Sequence, residues 1–303
     1  MKKFIKRIFK TILTIISTMI FVILIVELWY LPRYWINREK VELNMETTNE
    51  IVVMSSNVRC FAPQDYFKKS WFYRADLIRD DINFVKPDII GFQEVTWMHY
   101  GYLKNIMSGY DSEITYRDDF ILSEGCPIFY RTDKFELIDQ GSFWLSETPD
   151  VMSKDWGAAH YRVAGYVILK DKNTQKNLVV FNTHLDHVSE AARINGIKLV
   201  LEKIQEFGGY PAILMGDFNA FVGEPTIDAA YEIFDDASEV SEVNLQEGLN
   251  EATYQKFGES LNHKRIDFLM ISKTGINVKQ YDVLDRTHDG VYASDHFSIY
   301  IKI

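Results

Sequence analysis

Residues 212–220 read AILMGDFNA. An apolar run of four ends at Gly216, and polar Asp217 and Asn219 follow at once. A short apolar run closed by a turn residue is the pattern of a buried strand, here over 212–216. With 266–272 it is the best candidate for a central strand. Polar side chains at the end of such a strand sit at the rim of a sheet, rigidly held yet wet, which suits an active site. If the segment stays extended, Asp217 and Asn219 point to the same side.

Outward from this stretch the pattern repeats. Asn57 follows IVVMSS, Glu94 follows DIIGFQ, His184 and Asp186 follow LVVFNT, and Asp295-His296 precede FSIYIKI. Further strands are expected at 51–55, 88–92, 126–131, 135–145, 161–170, 178–184, 278–284 and 296–302. Helices are expected at 70–86, stopping before Pro87, and at 189–207, stopping at Gly208-Gly209. Many strands with few long helices indicate a mixed α/β domain of two packed sheets flanked by helices. It runs as one unit over 50–303, without an internal repeat.

The polar residues form a coherent chemical set. Glu94 and Asp295 offer hard carboxylate oxygens, suited to Mg2+ or Mn2+. Neither a cysteine cluster nor an H-E-x-x-H segment is present, which argues against a conventional zinc site. Of Asp217 and Asn219, one can activate a water while the other orients it or binds a phosphate oxygen. His184 and His296 can donate to charge developing on phosphorus. Singly, each residue also reads as a turn former, a cap or a structural histidine. Asp186 and His187 stay on the structural side, and Lys68-Lys69 and Lys264-Arg265 read as solvated surface.

In SSNVR, GFQEV, NTHLDH, GDFNA, RIDFLMIS and SDHFSI, in that order over about 50–303, the chain resembles the endonuclease/exonuclease/phosphatase family. The stretches around 128–150 and 181–199 look most like a bacterial branch. The resemblance implies a four-layer α/β sandwich and Mg2+-dependent phosphoester hydrolysis. It implies Glu94 as the principal metal ligand, with Asn57 and Asp295 near the metal. Asp217 would activate or orient the water, Asn219 would hold the phosphate, and His296, oriented by Asp267, would stabilise pentacovalent phosphorus. His184 would contact the scissile phosphate. No family motif fixes a role for Arg162 or Arg193; Arg162 is kept as a candidate substrate ligand.

Ahead of the domain, residues 11–31 (TILTIISTMIFVILIVELWYL) carry Glu27 as their sole charge. At about 1.5 Å per residue they can cross a hydrocarbon core of about 30 Å. Glu27 is near enough to the far end to snorkel. Lys2, Lys3, Lys6, Arg7 and Lys10 precede the span, so residues 1–10 are expected in the cytoplasm and the domain outside it. A cleaved signal peptide would need a shorter apolar run and a small-residue site. Residues 32–49 read as a tether.

Residues 1–40 carry a net charge of +6, so the remainder of this chain of net charge −10 carries −16. A broad nucleic-acid-binding face needs clustered positive charge. The acidic domain therefore favours a small phosphate ester over nucleic acid, and the anchor favours lipid or envelope substrates. The two cysteines, Cys60 and Cys126, exclude a disulfide scaffold and leave open one bridge or two buried thiols. Two rivals stand beside the hydrolase. A non-catalytic binding module would have lost Glu94, Asp217 or His296. A serine hydrolase built on Ser294 fails because three adjacent residues cannot converge as a triad. Oligomeric state is not legible.

Overall fold

The computed structural model describes residues 2–43, 50–62, 64–246, 252–259 and 264–303. Helix α1 (Lys2–Ile36) precedes β1 (Val52–Asn57), α2 (Trp71–Val85), β2 (Ile89–Gln93), α3 (Trp97–Ile106), β3 (Tyr110–Glu113) and β4 (Ile128–Arg131). Then come β5 (Phe135–Trp144), β6 (Val163–Asp171), β7 (Asn177–His184), α4 (Glu190–Glu206), β8 (Ala212–Asp217) and α5 (Pro225–Ala230). The chain continues through β9 (Phe234–Asp236), α6 (Ala237–Val240), β10 (Val243–Asn244), β11 (Asp267–Ser272), β12 (Gln280–Val283) and β13 (Ile299–Lys302).

Two sheets form, ordered β10-β12-β13-β1-β2-β4-β3 and β5-β6-β7-β8-β11-β9. Period-two alternation sorts their side chains into layers. In β1, Val52 and Met54 face α2 and α3, while Val53 faces the other sheet. In β8, Leu214 faces α4, with Ile197 and Val200, while Ile213 and Met215 turn inward against Val53 and Ile89. The result is a four-layer α/β sandwich, and β8 and β11 lie inside their sheet.

A buried polar tie crosses the central layer. Gln93 Nε2 donates to Asn182 Oδ1 at 2.7 Å, and Asn182 Nδ2 donates to the carbonyls of Phe92 and Pro127. These bonds tie the two sheets together directly beneath the polar strand ends, although Gln93 Oε1 is buried without a hydrogen bond.

Helix α1 is long and apolar enough to cross a membrane. Part of the segment read as a tether packs on the domain: Tyr34 and Val41 join the core under α2 and α3, and Val41 N–H donates to Ile106 O. Residues 44–49 lie outside the described residues. Glu27 does not snorkel; it is 8% exposed and accepts a hydrogen bond from Ser70 Oγ.

Candidate active site

Strand register explains why residues far apart in sequence meet. Asn57 pairs with Gln93 across the parallel β1–β2 ladder, which brings the next residue, Glu94, alongside. His184 is opposite Asp217 in the parallel β7–β8 ladder, and Asp217 is opposite Asp267 in the antiparallel β8–β11 ladder. One end of each sheet thus carries a polar row, and the two rows converge.

Asn57 joins them. Its Nδ2 donates to Glu94 Oε1 at 3.1 Å and to Asp217 Oδ2 at 3.0 Å. Around that Asp217 oxygen also stand His184 Nε2 at 3.4 Å and His296 Nε2 at 3.8 Å. His296 Nδ1 meets Asp267 Oδ2 at 2.8 Å. Cys60 N–H donates to Glu94 Oε2 at 2.7 Å. Asp295 Oδ2 faces Arg59 Nη1 at 3.6 Å, and Arg59 Nε donates to Asp65.

Asp217 and Asn219 come together by a route the extended reading did not foresee. Asn219 has φ +48, and its N–H donates to Asp217 Oδ1 at 2.9 Å while its Nδ2 donates to Leu185 O at 3.1 Å. This is a local turn that asparagine tolerates, not an extended segment. Just before the turn, Gly216 stands at φ +145 against the neighbouring strand: a Cβ there would lie 1.9 Å from Thr183 O.

The charges are unequal. Burial and the Asp267 carboxylate push Asp217 up to about 7. Burial opposes a charged His296, but Asp267 overcomes it and pushes the imidazolium up to about 10. Burial and nearby Arg162 hold His184 well below the ordinary histidine range. Burial would raise Glu94, yet the neighbouring His184, the Cys60 N–H and Arg59 hold it below the usual carboxylate range.

The donor set fits a divalent cation. Glu94 and Asp217 are buried carboxylates brought within reach of one amide, an arrangement that calls for positive compensation. Their ligand atoms group with His184, and those of Asp217 group with Asp267 and His296, each trio within 4.8 Å. Asp295 belongs to neither trio, and Asn57 contributes through its bridge.

A cleft of about 600 Å3 opens over this floor. Arg117, His160, Arg162, His187, Arg193 and Lys264 are among its lining residues, interspersed with Glu124 and Glu224; of these basic groups sequence reading weighed only Arg162 and Arg193 for a role. Arg162 is 5% exposed, with Nη2 3.4 Å from His187 Nδ1 and Nε 3.8 Å from Asp186. Arg193 Nη1 donates to Asp186 O at 3.0 Å. Asp186 is structural, accepting backbone N–H groups from Ala159, His160, Val188 and Ser189. Lys264 reaches over the Phe221 ring at the cleft. Arg265, expected on the surface, is buried in a two-bond pair with Asp236 at 2.9 and 2.6 Å. Cys60 and Cys126 are free thiols. Ser294 Oγ donates to Asn57 O at 2.6 Å, a positioning bond.

The family model described as Endonuclease/Exonuclease/phosphatase family matches residues 54–296, from β1 to His296. This chain belongs to that family. A family protein of Bacteroides thetaiotaomicron is similar at 33% identity and TM-score 0.77, covering 84% of this chain and 97% of that one. A mannosyl-6-phosphatase of the same organism is similar at 32% identity and TM-score 0.75, covering 84% and 99%. Among curated proteins, protein angel of Drosophila melanogaster is 27% identical over 167 residues, covering 52% of this chain and 46% of that protein. The Ccr4 exoribonuclease subunit of Candida albicans is 22% identical over 286 residues, covering 77% and 35%. The chain thus spans less than half the length of these two relatives. Family enzymes use divalent metals, and the acidic and histidine cluster of this member is able to hold one.

Proposed function

We propose that this chain is a membrane-anchored phosphoesterase, dependent on Mg2+ or Mn2+, that hydrolyses small phosphate esters outside the cytoplasm. The observation that carries the reading is the Asn57 bridge between Glu94 and Asp217, flanked by His184 and His296. A bound divalent ion, held by Glu94 with Asn57 and Asp295 nearby, would polarise a phosphoryl oxygen and offset its charge.

The chain's own groups supply the rest. Asp217, with Oδ1 fixed by Asn219 N–H, lines the cleft and is placed to take a proton from water. His296, held charged by Asp267, offers Nε2–H to charge building on phosphorus. His184 and Asn219 border the same floor and contact the phosphate, and Arg162 with its basic neighbours holds the anionic substrate.

A cleft whose basic side chains are mixed with acidic ones, Arg117 paired with Glu124 among them, in an acidic domain suits a compact ester better than a long polyanion. Likeness to a mannosyl-6-phosphatase supports a sugar phosphate within that class. Likeness to Ccr4 supports a second reading, RNA hydrolysis. The basic N-terminal flank and the apolar length of α1 support an inside N-terminus with the domain across the membrane.

Full-length chain in detergent, given sugar phosphates, phosphoinositides, sphingomyelin, DNA and RNA with Mg2+, Mn2+ or EDTA, tests both readings of the reaction. Metal-dependent phosphate release from a small ester is expected. Preferential RNA cleavage would support the second reading. No turnover of any substrate would support a binding module.

A further inference from the structure

The way α1 meets the domain fixes how the domain sits. Glu27 bonds Ser70, and the Tyr30 and Tyr73 rings meet edge-on at 5.2 Å. Arg33 donates to Asp76 at 2.9 and 2.7 Å, and Arg79 donates to Asn37 O at 3.2 Å. Partners therefore advance together, 27 with 70, 30 with 73, 33 with 76, 37 with 79. The two helices run side by side in the same direction, so α2 is a ruler of height along α1.

That ruler shortens the apolar span. With Glu27 docked on the domain, the free stretch is Thr11–Val26, sixteen residues of sequence and about 24 Å of helix. The hydrocarbon core is about 30 Å thick. Lysines at 6 and 10 close the opposite end. With Lys6 and Lys10 kept on the cytoplasmic side, the shortfall is assigned to the side of Ser70, where exposed aromatics stand just before that residue.

Tyr66 and Phe67 are 50% and 51% exposed, their rings 5.3 Å apart, and exposed Lys68 follows. Phe67 stands at φ +57, a conformation a bulky residue adopts only when its surroundings impose it. Paired aromatics beside a lysine are the composition of a membrane–water interface. On α1, Trp29, 79% exposed, projects at nearly the height of Glu27. The adjoining Asp65 accepts from Arg59, which lines the cleft.

We propose that the Tyr66–Lys68 turn is a second membrane contact, seated in the bilayer interface beside α1, so that the domain is clamped on the lipid surface with the turn bordering its cleft there. The occupant is phospholipid, chosen because the turn continues the α1–α2 interface at the height where the apolar span runs short. The inference rests on α1 spanning the membrane and is independent of the hydrolytic reaction.

The test is photocrosslinking of the full chain in vesicles of equal parts phosphatidylcholine and phosphatidylglycerol. p-Benzoylphenylalanine replaces Trp29, Phe67 or Phe84 in separate variants. Phe84 is also exposed and apolar, but it is fourteen residues past Ser70 along α2, about 21 Å farther out. Lipid adducts at 29 and 67 and their loss at 84 are expected. An adduct at 29 without one at 67, or equal adducts at 67 and 84, overturns the seating while leaving the anchor. No adduct at 29 also overturns the seating, since Trp29 stands at the height assigned to the interface. Phosphate release by the same chain in detergent reports separately on the enzyme.

Discussion

Asp267 acts on His296 through a bond of 2.8 Å, and the ionisation of that pair has a measurable sign. The folded imidazolium titrates at about 10, against about 6.5 in an unfolded chain. Its contribution to stability is therefore complete below about 6.5 and lost as pH rises through about 10. In EDTA, thermal unfolding between pH 8 and 10 should show wild type losing stability faster than His296→Gln, by up to about 1.4 kcal/mol per pH unit. Equal slopes would contradict the pair. For catalysis, Asp217→Asn should lower kcat by about 10²–10⁴ with KM little changed, whereas Arg162→Gln should mainly raise KM for anionic esters. Steady-state kinetics on a hydrolysed ester checks both.

The chemistry of the floor was legible because each group stands at a strand end that an apolar run announces. The basic residues lining the cleft were less so: Arg117 and His160 lie outside helices and strands, and no periodicity reveals where such residues point. The geometry of Asn219 was hidden for a related reason. Its left-handed backbone is stabilised by hydrogen bonds to Asp217 and Leu185, and the second of these is a tertiary contact.

Among elements, the strands at 51–55, 88–92, 178–184, 212–216 and 266–272 were readable as compact apolar runs. Helix α3 was not. Its sequence WMHYGYLKNI contains Gly101, and it buries His99 as well as Tyr102, Leu103 and Ile106, which blurs the helical stripe. Strand β9 has three residues, FDD, and two of them are acidic. It exists because Asp236 receives Arg265 from the start of the β11 segment. Asp236→Ala should cost about 3–5 kcal/mol in a denaturant titration, because it leaves a buried guanidinium without that carboxylate. At β8, Gly216→Ala should cost as much or more, since its methyl would collide with the neighbouring strand's backbone at Thr183.

At the scale of the molecule, the boundary drawn at residue 50 from the sequence cuts through a packed region. Tyr34 stacks on Tyr102 with ring centroids 5.2 Å apart, and Val41 fills the same core. A chain beginning at residue 50 should unfold about 3–6 kcal/mol more easily than one beginning at residue 33, from the loss of two buried side chains. Urea titration of both checks it, and equal midpoints would show that the α1 extension contributes nothing.

Strand β13 lies between β1 and β12, and Ser298, just before it, bonds Ser56 across a separation of 242 residues. During synthesis at about 5–20 residues per second, one flank of β1 therefore waits on the order of 10–50 s for its neighbour. Over that interval a hydrophobic strand stands open to any passing chain. The unfinished flank of β1 is therefore where a nascent chain of this protein is most open to clumping with its neighbours.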